Sequence, residues 1–267
     1  MDCPHCDSNR TSLLKSQTNL GYQQYRCNHC HKQFNERTNT PYNYIEYPTE
    51  MVTLAVYFYY RFRNSLDDVV ELMALRNIHL SHQTVYNWVH RFGVSLVKQF
   101  RKNRHGKSGP KWHVDPTYIR VEGRWCYLYR AIDKAGNLVD VYLSDVRGQE
   151  TAAQFFLQAE STAGITPDQI TTDKEPALAA AIEDVFGNGT RHRSNKYLNN
   201  RLEAHHCKTK SRLSPMKGFK NIFSALRFCV TFEEIRQFFR MPSPRLQGRR
   251  FLASKIQEFF QIAAKIA

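Results

Sequence analysis

The run of short apolar segments that opens at Lys111 constrains this chain more than any other feature. Residues 112–121 and 125–133 read as strands joined by the turn Glu122-Gly123-Arg124, and a third strand, 138–143, follows the turn Lys134-Ala135-Gly136-Asn137. Two tight turns in series dictate an antiparallel meander. The pattern then changes period. A helix is expected over 149–163 with Phe155, Phe156 and Ala159 inward, then a strand ending at Asp173. A helix over 176–185 opens on Pro176, a residue suited to a first helical turn. A short strand near 190–193 and a long helix from about Asn199 complete the series.

The order βββ-α-β-α-β-α is that of an RNase H-like fold, so the expected class is α/β (α+β). In that fold the first and fourth strands are neighbours. Asp115, in the first strand, and Asp173, at the end of the fourth, would then lie side by side, with Glu203 on the last helix facing them. Acids in apolar strands are costly unless they are paired or bind metal. Their hard oxygen ligands suit Mg²⁺ or Mn²⁺, and three carboxylates plus a DNA phosphate can clamp two such ions about 3.5–4 Å apart. Lys210 follows Glu203 by seven residues and so shares its helix face, where it can grip a phosphate. Asp133, Asp140, Asp145, Glu122, Glu175 and Glu183 are expected at the surface. Cys126, Cys207 and Cys229 are expected to be ordinary thiols.

Upstream, Cys3-Pro4-His5-Cys6 and Cys27-Asn28-His29-Cys30 form two C-x2-C pairs with the spacing of a zinc ribbon. Cys3, Cys6, Cys27 and Cys30 would close a tetrahedron around a structural Zn²⁺ with no open position, and Phe34 would pack beneath it. A segment this small cannot bury a core of its own, so the metal would supply folding energy. A helix from about Glu50 to Phe62 follows. Then comes one capped by Ser65 with the stripe Leu66, Val69, Val70, Met73, and another from Ser81 with Val85, Trp88, Val89 and Phe92 inward. The last two match a helix-turn-helix, which makes His82, Gln83, Thr84, Tyr86, Asn87 and Arg91 the candidate DNA-facing side chains. Lys98, Arg101, Lys102, Arg104, His105 and Lys107 read as a basic, flexible linker. Residues 248–267 read as a final helix that packs on the domain or joins two subunits. The expected domains are a zinc ribbon (1–40), a helix-turn-helix domain with its linker (41–108), the catalytic domain (109–240) and a helical tail (241–267).

The 38 Lys+Arg against 24 Asp+Glu leave a net charge of +14, which favours a polyanionic partner. Hydrophobic content of 42% argues against global disorder. No apolar stretch reaches membrane-spanning length and the opening Met1-Asp2-Cys3 is not that of a signal peptide, so no membrane partner and a cytoplasmic, nucleoid-associated location are expected.

Several segments carry a family resemblance. They are Trp112-His113-Val114-Asp115, Tyr127-Leu128-Tyr129-Arg130-Ala131-Ile132-Asp133, Thr172-Asp173-Lys174, Lys196-Tyr197-Leu198-Asn199-Asn200 with Glu203, and Pro215-Met216 with Gly218-Phe219-Lys220. Together with Ser65-Leu66 and Thr84-Val85-Tyr86, they resemble the bacterial transposases of the IS-six family of insertion sequences, from about residue 50 to 228. The resemblance implies that Asp115, Asp173 and Glu203 are a DDE triad. It implies an enzyme that binds double-stranded DNA at the terminal inverted repeats of its element, cuts there, and joins the freed 3′ ends to target DNA, working as a homodimer or larger assembly. Two segments depart from the family pattern. Pro116 stands where a Glu usually follows the first Asp, and Ala204-His205-His206 replaces Gln-Asp-His. Pro116 lacks an N–H and is expected to break the ladder of a central strand. The rival reading, a catalytically decayed DNA-binding derivative of such an enzyme, turns on that residue.

Overall fold

The computed structural model describes residues 1–194, 200–216, 218–241 and 248–266, and in the helix that begins at Asn200 it describes side chains from His206 onward. The chain forms two compact units: residues 1–96 with 241–267, and residues 97–240.

In the first unit, β1 (Thr11–Gln17), β2 (Gln23–Cys27) and β3 (Gln33–Phe34) make a small antiparallel sheet. Its interior holds little more than Cys3, Cys27 and Phe34, with Tyr25 stacked on Phe34 at 5.5 Å. Three helices follow, α1 (Thr49–Arg61), α2 (Leu66–Ala74) and α3 (His82–Arg104). α1 buries Val52, Thr53, Ala55, Val56, Tyr57, Tyr59 and Tyr60, a face that takes up a little more than half of its circumference. Ser65 caps α2 with a full capping box: its hydroxyl accepts from Asp68 N–H at 3.0 Å, and the Asp68 carboxylate accepts Ser65 N–H at 2.7 Å. Val85, Trp88, Val89 and Phe92 of α3 face inward as their spacing requires. The C-terminal helix, named here α8 (Gly248–Ile266), packs on α1, with Phe259 5.6 Å from the ring of Tyr57.

The basic run after Phe92 is not a flexible linker. α3 continues through Arg104: it runs on past Gly93, meets no further glycine or proline before Gly106, and its arginines meet buried acids. Arg101 pairs with Asp140 at 2.6 Å and with Glu234 at 2.9 Å, and Arg104 pairs with Glu234 at 2.7 Å.

The second unit is built on β4 (Lys111–Val121), β5 (Arg124–Asp133), β6 (Leu138–Ser144), β7 (Gln169–Thr172) and β8 (Arg191–Ser194), in the order β6-β5-β4-β7-β8. β4, β5 and β6 are antiparallel, whereas β7 pairs in parallel with both β4 and β8. Together with the helices, this is the RNase H-like arrangement. The β4–β5 turn places Glu122 and Gly123 at φ 52° and 76°, the left-handed pair that a two-residue hairpin needs.

Along β4 and β5, side chains alternate between the two faces. Trp112, Val114, Tyr129 and Ala131 meet Phe155, Phe156 and Ala159 of α4 (Gln149–Ala163) and Ala181 and Ile182 of α5 (Pro176–Phe186). The opposite set, which includes Asp115 and Arg130, meets α6 (Asn200–Leu213) and α7 (Ile222–Phe238).

Two acids expected at the surface are buried. Asp133 accepts from Gly109 N–H, Asn137 N–H and Asn137 Nδ2 within 3.0 Å, which ties the β5–β6 turn. Asp140, fully buried, accepts from Arg101, Gln158 and Thr162. β6 is covered on both faces, by α4 and α7, so neither of its faces is wet.

Candidate active site

Trp112 pairs with Ile170 and His113 with Thr171 across the parallel β4–β7 ladder. Continuing that register sets Asp115 level with Asp173, which directly follows β7. Both acids are half-buried. Asp173 Oδ1 accepts Glu175 N–H at 3.1 Å, and this fixes the bend that leads into α5.

Pro116 leaves β4 intact, contrary to expectation. The strand runs unbroken to Val121, and Pro116 lies opposite Tyr129 of β5. The reason is direction. Glu122 N–H donates to Phe219 O and Phe219 N–H to Arg120 O, so even-numbered residues of β4 turn their backbone groups away from β5. β7 pairs no further along that edge than His113. The missing N–H of Pro116 therefore falls where neither neighbouring strand needs a donor, and Asp115 keeps its place.

α6 lies against β4. His206, buried, brings Nδ1 to 3.4 Å from Asp115 Oδ2. Burial first, then the positive charges of Arg130, Lys210 and Arg236, push its pKa down to about 3. The ring is therefore neutral at neutral pH, so the contact is not an ion pair. Asp115, Thr117, His206, Lys210 and Ser211 line an open groove of about 680 Å³, with Lys210 exposed at its rim. Glu203 lies on α6 three residues before His206, but its side chain is outside the described residues.

Beneath Asp115 sits a charge that the sequence reading passed over. Arg130, directly opposite Asp115 across the β4–β5 ladder, is 1% exposed. It forms an ion pair with Glu233 of α7, and its Nη1 lies 3.4 Å from Thr209 Oγ1 of α6. Thr209 donates to Glu233 at 2.6 Å, and Arg236 adds a second cation at 3.2 Å. Desolvation holds the Arg130 guanidinium well below its usual range. The signal was present in the sequence: a lone arginine inside Tyr127-Leu128-Tyr129-Arg130-Ala131-Ile132 must be buried and paired. The network ties β5, α6 and α7 together under the groove.

In the first unit, the thiolates of Cys3, Cys6, Cys27 and Cys30 lie within 4.8 Å of one another, the only such ligand cluster among the described residues. Cys3–Cys30 and Cys6–Cys27 Sγ separations are both 3.6 Å, close to the roughly 3.8 Å edge of a tetrahedron with metal–sulfur bonds of about 2.3 Å. Cys30 N–H and His29 N–H both point at Cys27 Sγ at 3.4 Å. Chiefly through the Cys30 amide, the Cys27 thiol is lowered to about 6. Cys6, although the Ser8 amide favours its thiolate, is pushed up to about 12 by desolvation and the other thiols. Cys27 gives up its proton readily, whereas a cation is needed to draw off that of Cys6.

Of the six candidate DNA-facing side chains, His82, Gln83, Tyr86, Asn87 and Arg91 are exposed on one side of α3 and Thr84 is half-buried. Gln83 donates to Asn87 at 2.9 Å, and Arg91 to Asn43 O at 3.2 Å.

A family model described as a DDE domain matches residues 109–241. The transposase for insertion sequence-like element IS431mec of Staphylococcus aureus is 33% identical over 190 residues, which cover 70% of this chain and 84% of the relative. The chain belongs to the IS-six family of insertion-sequence DDE transposases. The transposase for element IS257 in transposon Tn4003, also from Staphylococcus aureus, matches it to the same extent. An uncharacterized Yersinia pseudotuberculosis protein, pYV0051, is 39% identical over 80 residues, 29% of this transposase and 75% of the relative. Among solved structures, the HTLV-2 integrase catalytic core domain in complex with magnesium (trimeric form) is 16% identical, with a TM-score of 0.39 over 54% of this chain and 95% of that one. The BIV integrase catalytic core domain is 14% identical, with a TM-score of 0.35 over 56% and 98%. At these scores the likeness adds nothing to the strand order itself. No described helix of the transposase is long and apolar enough to cross a membrane.

Proposed function

We propose that this DDE transposase binds the terminal inverted repeats of an insertion sequence, cuts the 3′ ends and joins them to target DNA, with Asp115, Asp173 and Glu203 as the catalytic acids. The observation that carries this reading is the β4–β7 register, which sets the first two acids level beside the helix that bears the third. The donor set is all carboxylate, which fits Mg²⁺ or Mn²⁺. Such ions, when bound, would activate the attacking oxygen and stabilise the leaving one. His206 holds the Asp115 carboxylate by its second oxygen, and the Arg130–Glu233 pair keeps α6 seated against the sheet. Lys210, at the rim of the groove, neutralises a phosphate of the bound strand. Cys3, Cys6, Cys27 and Cys30 hold a structural Zn²⁺. The exposed side of α3, with His82, Gln83, Thr84, Tyr86, Asn87 and Arg91, contacts the repeat. The working form is a homodimer or larger assembly, since two element ends must be joined, and the site of action is the bacterial nucleoid.

The test uses purified full-length protein, Mg²⁺ and a labelled duplex carrying a terminal repeat. The expected products are a nick at the 3′ end and joined strands, with Asp115→Asn abolishing both and leaving duplex binding in place. Duplex binding with no cut by the unmodified protein would overturn the assignment.

A further inference from the structure

Where β4 and β5 run toward their turn, three aromatic rings lie on one face of the sheet. Tyr118 pairs with Tyr127 and Arg120 with Trp125 across the ladder, so all four side chains share that face. Trp125 is 58% exposed and Tyr118 44% exposed. Their ring centroids are 6.5 Å apart, and Tyr118 and Tyr127 lie 5.4 Å apart, so the rings form one continuous patch. Large rings left in water by a folded sheet mark an interaction surface.

The surroundings say what kind of partner fits. The Arg120 guanidinium lies 5.2 Å from the Trp125 ring, and that of Arg147 5.8 Å from Tyr127. Arg147 is fixed by Tyr118 Oη at 2.8 Å and Glu175 at 2.6 Å. Lys210 closes the other side of the opening, which measures about 700 Å³. The alternation along β4 puts this patch on the face opposite Asp115, and the two meet around the edge of β4 that β7 leaves uncovered beyond His113, where Tyr118 and Lys210 line both the patch and the groove that holds Asp115 and His206. π-faces ringed by cations are the recognition chemistry of a single-stranded nucleic acid: the bases stack, and the phosphates meet the charges. A second copy of a chain with net charge +14 would bring like charge against this rim.

We propose that Tyr118, Trp125 and Tyr127 form a shelf on which an unpaired base of the DNA strand stacks, next to the phosphate held at Asp115. The inference rests on the reading of that groove as the DNA-cutting site. It assigns the shelf the task of holding the strand open beside the cut, independently of base identity.

Fluorescence anisotropy with the full-length protein tests it, using one labelled duplex either blunt or bearing a short oligothymidine tail at its 3′ or 5′ end. The unmodified protein is expected to bind a tailed duplex about tenfold more tightly than the blunt one, the scale of stacking one base. Trp125→Ala and Tyr118→Ala should each bring that ratio near unity, and Trp125→Phe should keep most of it. With 2-aminopurine at the first unpaired position, emission should fall on binding to the unmodified protein, a readout that needs no variant to fold. A ratio near unity in an unmodified protein that binds the blunt duplex removes the shelf alone. A ratio unchanged in both alanine variants removes it too, as does loss of self-association in Trp125→Ala with the ratio intact. Failure of the unmodified protein to bind either duplex removes the shelf together with the DNA-cutting reading beneath it.

Discussion

Arg130 is a full charge with almost no water around it. It is tolerable only because Glu233 neutralises it and Thr209 bridges both to α6. A buried pair of this kind adds little net stability over apolar packing, yet breaking it leaves a stranded charge. Glu233→Ala is therefore expected to lower unfolding free energy by about 3–5 kcal/mol in urea denaturation. Arg130→Met combined with Glu233→Leu should recover most of that loss. A loss below about 1 kcal/mol for Glu233→Ala would mean that the pair is wet and behaves as a surface bridge. Pro116 makes the complementary point: whether a proline damages a sheet depends on which edge its nitrogen faces, and here it faces an edge with no strand to serve.

The elements themselves were largely legible. The turns at Glu122-Gly123 and Lys134 to Asn137 stop β4 and β5 chemically, and the 149–163 helix ends at Gly164 in the left-handed conformation. What stayed hidden depends on distant partners. Asp140 read as a surface acid because Arg101 is 39 residues away, and the linker read as flexible because Glu234 lies 130 residues beyond Arg104. α7, which supplies Glu233 and Glu234, went unread although its acids hold both networks. Local capping, by contrast, needs no distant partner. Ser65→Ala removes the hydroxyl that accepts from Asp68 N–H and should cost about 1 kcal/mol, visible as a lowered thermal midpoint. An unchanged midpoint would show that α2 is held by packing alone.

At the scale of the molecule, two different metal chemistries are assigned to two compact units. The ribbon has almost no core, so chelation of Zn²⁺, or Cys27→Ser, should bring fast hydrogen exchange to residues 1–40 and leave 97–240 protected. Equal loss of protection in both units would refute that division. On the proposed reading, Asp115 and Asp173 present their oxygens to a divalent ion at the cut phosphate. Thiolate ligands disfavour Mg²⁺ and tolerate softer ions. Nicking of a terminal-repeat duplex by Asp115→Cys and by Asp173→Cys should therefore be lost with Mg²⁺ and return with Mn²⁺. Full activity of either variant with Mg²⁺, or no activity with either ion in a variant that still binds the duplex, would contradict it.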